Sequence, residues 1–131
     1  MYSKDMLIGI FLGIAKMDLH IERSSKAKLG YNAKIRLSIR GTEEFLLGVQ
    51  RSLEQHQIKS NYKQREHNSR PKPILRIGGI KELHKVTKLV PNLPDAKGEW
   101  KDFRQAVHIM SNGIHKELKG MEILMKIKGV I

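Results

Sequence analysis

The sequence predicts an α+β domain whose elements follow the order αββαββα, with extra helices at the C-terminal end. Two spacings of apolar residues predict this order. In two regions every second residue is apolar, which indicates strands, and in the segments before, between and after those regions every third or fourth residue is apolar, which indicates helices. At 131 residues the chain has the length of one domain, and its 40% hydrophobic content is enough for a buried core. We therefore expect residues 1–131 to form a single domain.

The first predicted helix covers residues 6–17, with Ser3 as the N-cap. The apolar residues from Met6 to Ala15 lie on every side of this helix instead of forming one stripe. Such a helix needs burial on two sides, and in a small domain the second side requires another helix, from this chain or from a partner. The apolar run is too short to cross a bilayer, so no membrane partner is expected.

A hairpin of two strands is predicted after this helix. Polar and apolar side chains alternate around residues 20–24 and 34–40, which is the spacing of a half-buried strand. The connection between them contains Gly30 and Asn32, and both residue types tolerate the geometry of a turn. An antiparallel pair with a long tip is the expected result.

Thr42 is the predicted N-cap of a second helix. A second strand pair is predicted at residues 58–65 and 74–77, joined by a polar stretch. Further helices are predicted at residues 80–90, 100–110 and 118–125. Gly120 is expected to weaken the last of these, because glycine is a poor helix former.

The charge balance predicts a polyanionic partner. The chain has 25 Lys and Arg against 13 Asp and Glu, for a formal net charge of +12 and a pI near 10.1. Nucleic acid is the usual partner of such a protein, although a basic protein without one remains an alternative. The absence of cysteine excludes disulfides and thiolate metal sites, and the six histidines show no paired ligand spacing.

The second predicted strand indicates where a nucleic acid would bind. Lys34, Arg36, Ser38 and Arg40 share one side of it, and no acidic residue occurs between Arg23 and Arg40. A cationic sheet face fits the major groove of a duplex, whereas the scarcity of aromatic residues disfavours a platform for single strands. A merely solvated sheet face is the alternative. The candidate binding residues are Lys26, Lys28, Lys34, Arg36, Ser38, Arg40, Tyr62, Gln64, Arg70, Lys72 and Arg76.

Several segments resemble the LAGLIDADG homing endonucleases. Phe11–Leu19, followed by His20 and Ile21, resembles the signature helix and the entry to the first strand. Glu43–Leu46, Ile74–Ile77 and Pro94–Gly98 are similar to later parts of that family, so the resemblance covers nearly the whole chain. It implies a saddle-shaped αββαββα sheet over DNA and divalent-metal-dependent cleavage of both strands.

The resemblance also implies roles for individual residues. Asp18 matches the acidic residue that ends the signature helix, and it would be a catalytic residue that binds Mg²⁺. Lys97 resembles a basic catalytic residue beside the scissile phosphate, where a cation stabilises developing charge. Arg40 lies where the family often has Gln. Leu12 and Met17 stand where small residues let two signature helices approach closely, and Lys16 stands where the family often has Asp.

Two functions are therefore expected as alternatives. The first is a site-specific double-strand DNA endonuclease that acts as a homodimer through helix 6–17 on a near-palindromic target. The second is a catalytically inactive binder of the same descent, such as an intron maturase or a protein bound to ribosomal RNA, which the bulky Leu12 and Met17 favour. The richness in Lys and Ile suits an organelle, mitochondrion or chloroplast, but a prokaryotic cytoplasm is equally open.

Overall fold

The computed structural model describes residues 2–91 and 99–131, and the predicted α+β order αββαββα with additional helices is confirmed. A short 3₁₀ helix, Ile114–Lys116, precedes the last α-helix. The elements are α1 (Lys4–Gly13), β1 (Lys16–Arg23), β2 (Tyr31–Arg40), α2 (Glu43–Gln55), β3 (Asn61–Lys63), β4 (Ile74–Gly78), α3 (Ile80–Leu89), α4 (Glu99–Ser111) and α5 (Leu118–Lys128).

The four strands form one antiparallel sheet in the order β1-β2-β4-β3. β2 is its longest strand, and it pairs with β1 on one side and with β4 on the other. The hairpin between β1 and β2 closes where Ser24 N–H donates to the carbonyl of Gly30 at 2.9 Å. Gly30 has φ +81°, a conformation that residues with a Cβ rarely adopt.

One face of the sheet packs against the helices and the other remains open. Alternate strand residues such as Leu37, Ile39 and Ile77 are buried in a core with Leu46 and Leu83 from the helices. α2 and α3 contact the β3–β4 side of the sheet, and α4 and α5 contact β1. Each such side chain contributes about 1.5–3 kcal/mol by leaving water. The molecule therefore has two layers, and the open sheet face is available for binding.

The first helix is shorter than the sequence predicts, since it ends at Gly13 instead of continuing to residue 17. The physical reason is the pairing of β1 with β2. Lys16 lies opposite Ser38, and Met17 lies opposite Leu37, where it packs against the core. Lys16 and Met17 therefore belong to β1, although local helical spacing had assigned them to the helix. β3 is also shorter than predicted.

The predicted helix N-caps are confirmed. The Ser3 hydroxyl accepts a hydrogen bond from the Met6 N–H at 3.1 Å, and the Thr42 hydroxyl accepts one from the Phe45 N–H at 3.2 Å. Each satisfies a backbone donor that a helix leaves unpaired in its first turn. Within the part of the chain that the structure describes, no helix is both long enough and apolar enough to span a bilayer.

Gly120 has a packing role that explains its place inside α5. It is buried, and a Cβ added there would overlap the carbonyl oxygen of Ile114 in the preceding 3₁₀ helix. The absence of a side chain lets the backbone turn back closely between the two helices. Glycine is a poor helix former, but at this position it allows a close contact between two backbone segments.

We expect Gly120→Ala to lower the free energy of unfolding by about 1–3 kcal/mol, because the added methyl group forces two backbone segments apart. Urea denaturation followed by circular dichroism measures the change. Lys119→Ala is the control, since Lys119 is the exposed neighbour of Gly120 in the same helix. Equal stability of the two variants would contradict the packing role of Gly120.

Candidate nucleic-acid interface

The open face of the sheet, called here the outer face, carries the side chains that point away from the helices. Its cations are accessible: the Lys34 side chain is 75% exposed and that of Arg36 is 46% exposed. Strand parity and register assign the following residues to this face: Lys16, Asp18, His20 and Glu22 of β1, Asn32, Lys34, Arg36, Ser38 and Arg40 of β2, Asn61 and Lys63 of β3, and Ile74, Arg76 and Gly78 of β4.

Ion pairs across the strands organise these cations. Asp18 lies opposite Arg36, and its Oδ2 accepts a hydrogen bond from Arg36 Nε at 2.8 Å. Glu22 lies 3.8 Å from Lys34 Nζ and 3.3 Å from the His20 ring. The cationic face that the sequence predicts therefore also carries acids. The prediction considered the stretch around β2, whereas the acids come from β1, which strand pairing brings alongside.

Glu66 forms the centre of a second charged group, called here the Glu66 cluster, with Arg40, Arg70 and Arg76. Arg40 Nε and Nη2 each donate a hydrogen bond of 3.0 Å to the carboxylate, one to each oxygen. Arg76 Nη2 and Arg70 Nη1 lie 3.7 and 3.9 Å from it. The Glu66 side chain is only 8% exposed. The hydrogen bond from Arg40 lowers the pKa of Glu66 and raises that of Arg40.

The loop between β3 and β4 holds Glu66 over the sheet. The Glu66 N–H donates to the Lys72 carbonyl at 2.9 Å, and His67 and Arg70 exchange backbone hydrogen bonds of 3.2 and 3.0 Å inside that closure. The polar stretch that the sequence predicts as a plain connection is thus a small folded hairpin of its own. Its backbone hydrogen bonds hold the Glu66 backbone in place independently of Arg40.

A shallow pocket of about 270 Å³ lies on the outer face beside the Glu66 cluster. Ser38 lies at its base and is only 6% exposed, so the predicted contact of Ser38 with nucleic acid is restricted to this pocket. Arg76 Nε is buried there and makes no hydrogen bond within residues 2–91 and 99–131. The pocket is lined by Lys16, Met17, Asp18, Arg36, Ser38, Arg40, Glu66 and Arg76.

Tyr62 does not lie on the outer face, so its predicted role in nucleic-acid binding is wrong. In the register of β3 and β4, Tyr62 lies opposite Leu75, and its ring packs against the core on the helix side. Burial raises the pKa of its hydroxyl group. The neighbours Asn61 and Lys63 point outward instead. The sequence alone did not identify them, because the side of the sheet to which each residue points depends on where the short strand β3 begins.

The remaining candidates lie around the edges of the molecule. Gln64, Arg70 and Lys72 are exposed in or beside the folded loop. Lys26 and Lys28, at the tip of the β1–β2 hairpin, line a second pocket of about 320 Å³ on the helix side of the sheet. The structure therefore does not bring these two lysines together with the outer face. Lys97 lies outside the described residues.

Comparison with solved structures shows which fold this is. The homing endonuclease I-TnaI superposes with a TM-score of 0.75 at 18% identity, over 96% of this chain and 85% of its own. I-SmaMI bound to cleaved DNA gives a TM-score of 0.77 at 18% identity, over 100% of this chain and 44% of its own. I-CpaMI bound to uncleaved DNA gives 0.74 at 21% identity, over 98% and 45%.

The chain has the LAGLIDADG homing-endonuclease fold. It spans most of I-TnaI but less than half the length of I-SmaMI and I-CpaMI. No protein-family model matches the sequence, and no curated protein gives a significant sequence match. The likeness is thus one of fold, which the element order and the open sheet face had already indicated.

The first helix ends earlier than the predicted signature segment Phe11–Leu19 requires. That segment continues to Leu19, whereas α1 ends at Gly13 and β1 begins at Lys16.

The end of α1 does not fit a divalent metal. Mg²⁺ needs hard oxygen ligands, but the residue at the C-terminal end of α1 is Ile14, with 46% of its surface exposed. The placement of Asp18 at the end of the signature helix is wrong, because Asp18 is the third residue of β1 and bonds to Arg36. Among the described residues, no group of three His, Asp or Glu could hold a metal ion.

We expect Glu66→Gln to reduce stability most at neutral pH. The folded protein holds the pKa of Glu66 below its ordinary value of 4.5, so the ionised carboxylate stabilises the fold above that pH. This contribution is lost as the pH falls through the folded pKa, where the variant and the wild type converge. Urea unfolding between about pH 7 and about pH 3 measures it.

Glu54→Gln on the exposed side of α2 serves as the control for that measurement. A stability difference for Glu66→Gln that stays constant over the same pH range would rule out an ionised Glu66 as its source.

Proposed function

We propose that this protein binds duplex DNA through the outer face of its sheet and does not cleave it at the end of α1. One observation carries the proposal: the LAGLIDADG fold presents an open sheet face rich in Lys and Arg, while the end of α1, from Leu12 to Ile14, carries no carboxylate. The cationic sheet face that would bind DNA is present, whereas the side chains at the end of α1 offer no oxygen ligand for a metal ion.

Charge and shape support the binding of a duplex. The net charge of +12 favours a polyanion, because neutralised phosphates release counterions. A twisted antiparallel sheet fits the major groove, where Arg, Lys and Asn side chains reach base edges. I-SmaMI and I-CpaMI, which share the fold, are both described as bound to DNA. The outer face assigned above has no Phe, Tyr or Trp for stacking single-stranded bases.

Metal-assisted hydrolysis requires a carboxylate that is free to hold the ion. Asp18 is the carboxylate that lies nearest in sequence after the helix end, and its Oδ2 is already engaged by Arg36. An endonuclease that uses Asp18, Lys97 and Mg²⁺ remains the second candidate, since the Asp18 side chain is half exposed. Structured RNA as the ligand is the third.

We expect Lys34→Ala to weaken duplex binding and to lower the slope of log affinity against log salt by about one. The reason is the loss of one phosphate-neutralising cation from the outer face. Lys81→Ala on α3 removes the same charge from the helix layer and should have little effect. Tyr62→Phe should bind as the wild type does, because the Tyr62 hydroxyl is buried on the helix side. Fluorescence anisotropy over a salt series measures all three.

The same samples decide between binding and cleavage. With Mg²⁺ or Mn²⁺ added, the wild type should leave a selected duplex intact. Cleavage by the wild type that Asp18→Asn abolishes would establish the endonuclease instead. Equal effects of Lys34→Ala and Lys81→Ala would remove the outer face as the binding surface, and tighter binding to folded RNA than to any duplex would favour the third candidate.

We also propose that two copies pair through the exposed side of α1. Met6, Leu12 and Ile14 are large apolar side chains with more than a third of their surface exposed there. Gly9 and Gly13 lie on the same side, and each has open space where a side chain would be. Two glycines four residues apart let helices approach closely. Met17 is no obstacle to this, because it lies in β1 and faces the core.

We expect Leu12→Glu to raise the dimer dissociation constant by about tenfold or more, since a charge would be buried without a partner. Sedimentation velocity with and without a near-palindromic duplex measures the assembly. Leu118→Glu, at a more exposed leucine of α5, is the control. A wild type that is monomeric in both conditions would contradict pairing through α1.

A further inference from the structure

We infer that the Glu66 cluster recognises guanine in the bound duplex, with Arg40 contacting the base and Glu66 acting as its positioning residue. This inference rests on the proposed function, because it assigns part of the specificity to one place on the DNA-binding face. Glu66 is absent from the set of residues that the sequence suggests for binding. Glu66 is acidic, whereas the binding residues in this region were predicted from their positive charge.

The bond between Glu66 and Arg40 fixes the direction of the Arg40 guanidinium. Nε and Nη2 of Arg40 both donate to the carboxylate at 3.0 Å, so the group is held by one edge in a single plane. The remaining edge, formed by the two Nη atoms, stays available for a second pair of parallel hydrogen bonds. Guanine offers the matching pair of acceptors, O6 and N7, on its major-groove edge.

Arg76 supplies a second donor beside the first. Its side chain is only 21% exposed, and its Nη2 lies 3.7 Å from Glu66. Its Nε is buried and has no hydrogen-bond partner among the described residues, which is unusual for a buried donor. Arg40 and Arg76 both line the pocket of about 270 Å³ on the outer face. Two arginines are thus presented to the same small volume.

The Glu66 carboxylate favours a base over a phosphate at Arg40 itself, although the cluster as a whole, three Arg against one Glu, is net positive. A phosphate approaching Arg40 would meet the negative carboxylate of Glu66 as well, and the two anions repel each other. A base edge is neutral, so it gains the hydrogen bonds without that repulsion. Glu66 stays ionised at neutral pH because Arg40 lowers its pKa. The exposed Arg70 and Lys72 on the same loop are better placed for phosphates.

The fixed backbone around Glu66 suits a positioning role. The 2.9 Å bond from the Glu66 N–H to Lys72 and the paired bonds of His67 and Arg70 hold the loop closed without help from Arg40. The backbone that carries the carboxylate is therefore in place before DNA binds. Less side-chain entropy is lost when an arginine that is already held forms its contacts with a base.

The test is selection of bound duplexes from a random pool by four full-length proteins: wild type, Glu66→Gln, Arg40→Lys and the control Arg51→Lys. The wild type should select a guanine at one defined position of the site. Glu66→Gln and Arg40→Lys should each reduce the preference for that guanine by roughly tenfold or more. Arg51→Lys should retain the preference, because Arg51 is exposed on α2 in the helix layer.

A second readout separates positioning from a structural role. Removal of a negative charge should make Glu66→Gln bind unrelated duplexes more tightly than the wild type, and Arg40→Lys should keep the wild-type salt slope. A merely unfolded loop would weaken binding to every duplex. If thermal denaturation shows that Glu66→Gln does not fold, Arg40→Lys decides, since it retains both the charge and Glu66.

An unchanged guanine preference in Arg40→Lys would overturn this inference and leave the proposed function standing. So would tighter binding of Glu66→Gln with no loss of preference, which is the result expected if the cluster contacts phosphate. A wild type that binds no duplex at all would overturn the inference and the proposed function together.

Discussion

The register of β2 against its two neighbours is the constraint on which the structure depends. Side chains alternate along a strand, so one choice of register sends Leu37 and Ile39 to the helices and Arg36 and Arg40 to the outer face. A shift of one residue would invert both sets, placing cations in the core and apolar side chains in water. The burial of the apolar set therefore determines the chemistry of the opposite face.

That opposite face is organised by its acids as much as by its cations. Asp18 and Glu22 of β1 and Glu66 of the loop each hold a Lys or Arg in place. The exposed pairs of Asp18 and Glu22 contribute little to stability. They do limit the directions in which the cations point, and a base edge is recognised by direction, whereas a phosphate is attracted by charge alone. The arrangement suits selective contact with a duplex.

The helical layer shows how local patterns and long-range contacts divide the outcome. Ser3 and Thr42 act as N-caps because a cap depends only on the next three residues, and both were predictable. The end of α1 was not predictable, because pairing of Lys16 and Met17 with β2 overrides their local helical spacing. That difference leaves no acidic residue at the end of α1. Asp18 is consequently a strand residue and not the end of a helix.

The sequence by itself determined the element order, the single-domain α+β class, the net charge and the outward cations of β2, because each depends on local spacing or on composition. Only the tertiary structure decided the side of Tyr62, the partners of Arg36 and Arg40, and the place of Glu66. Arg40 and Glu66 are 26 positions apart, as are many pairs that never meet. Chain folding brings such residues together through register and loop closure, which depend on the packing of the whole core.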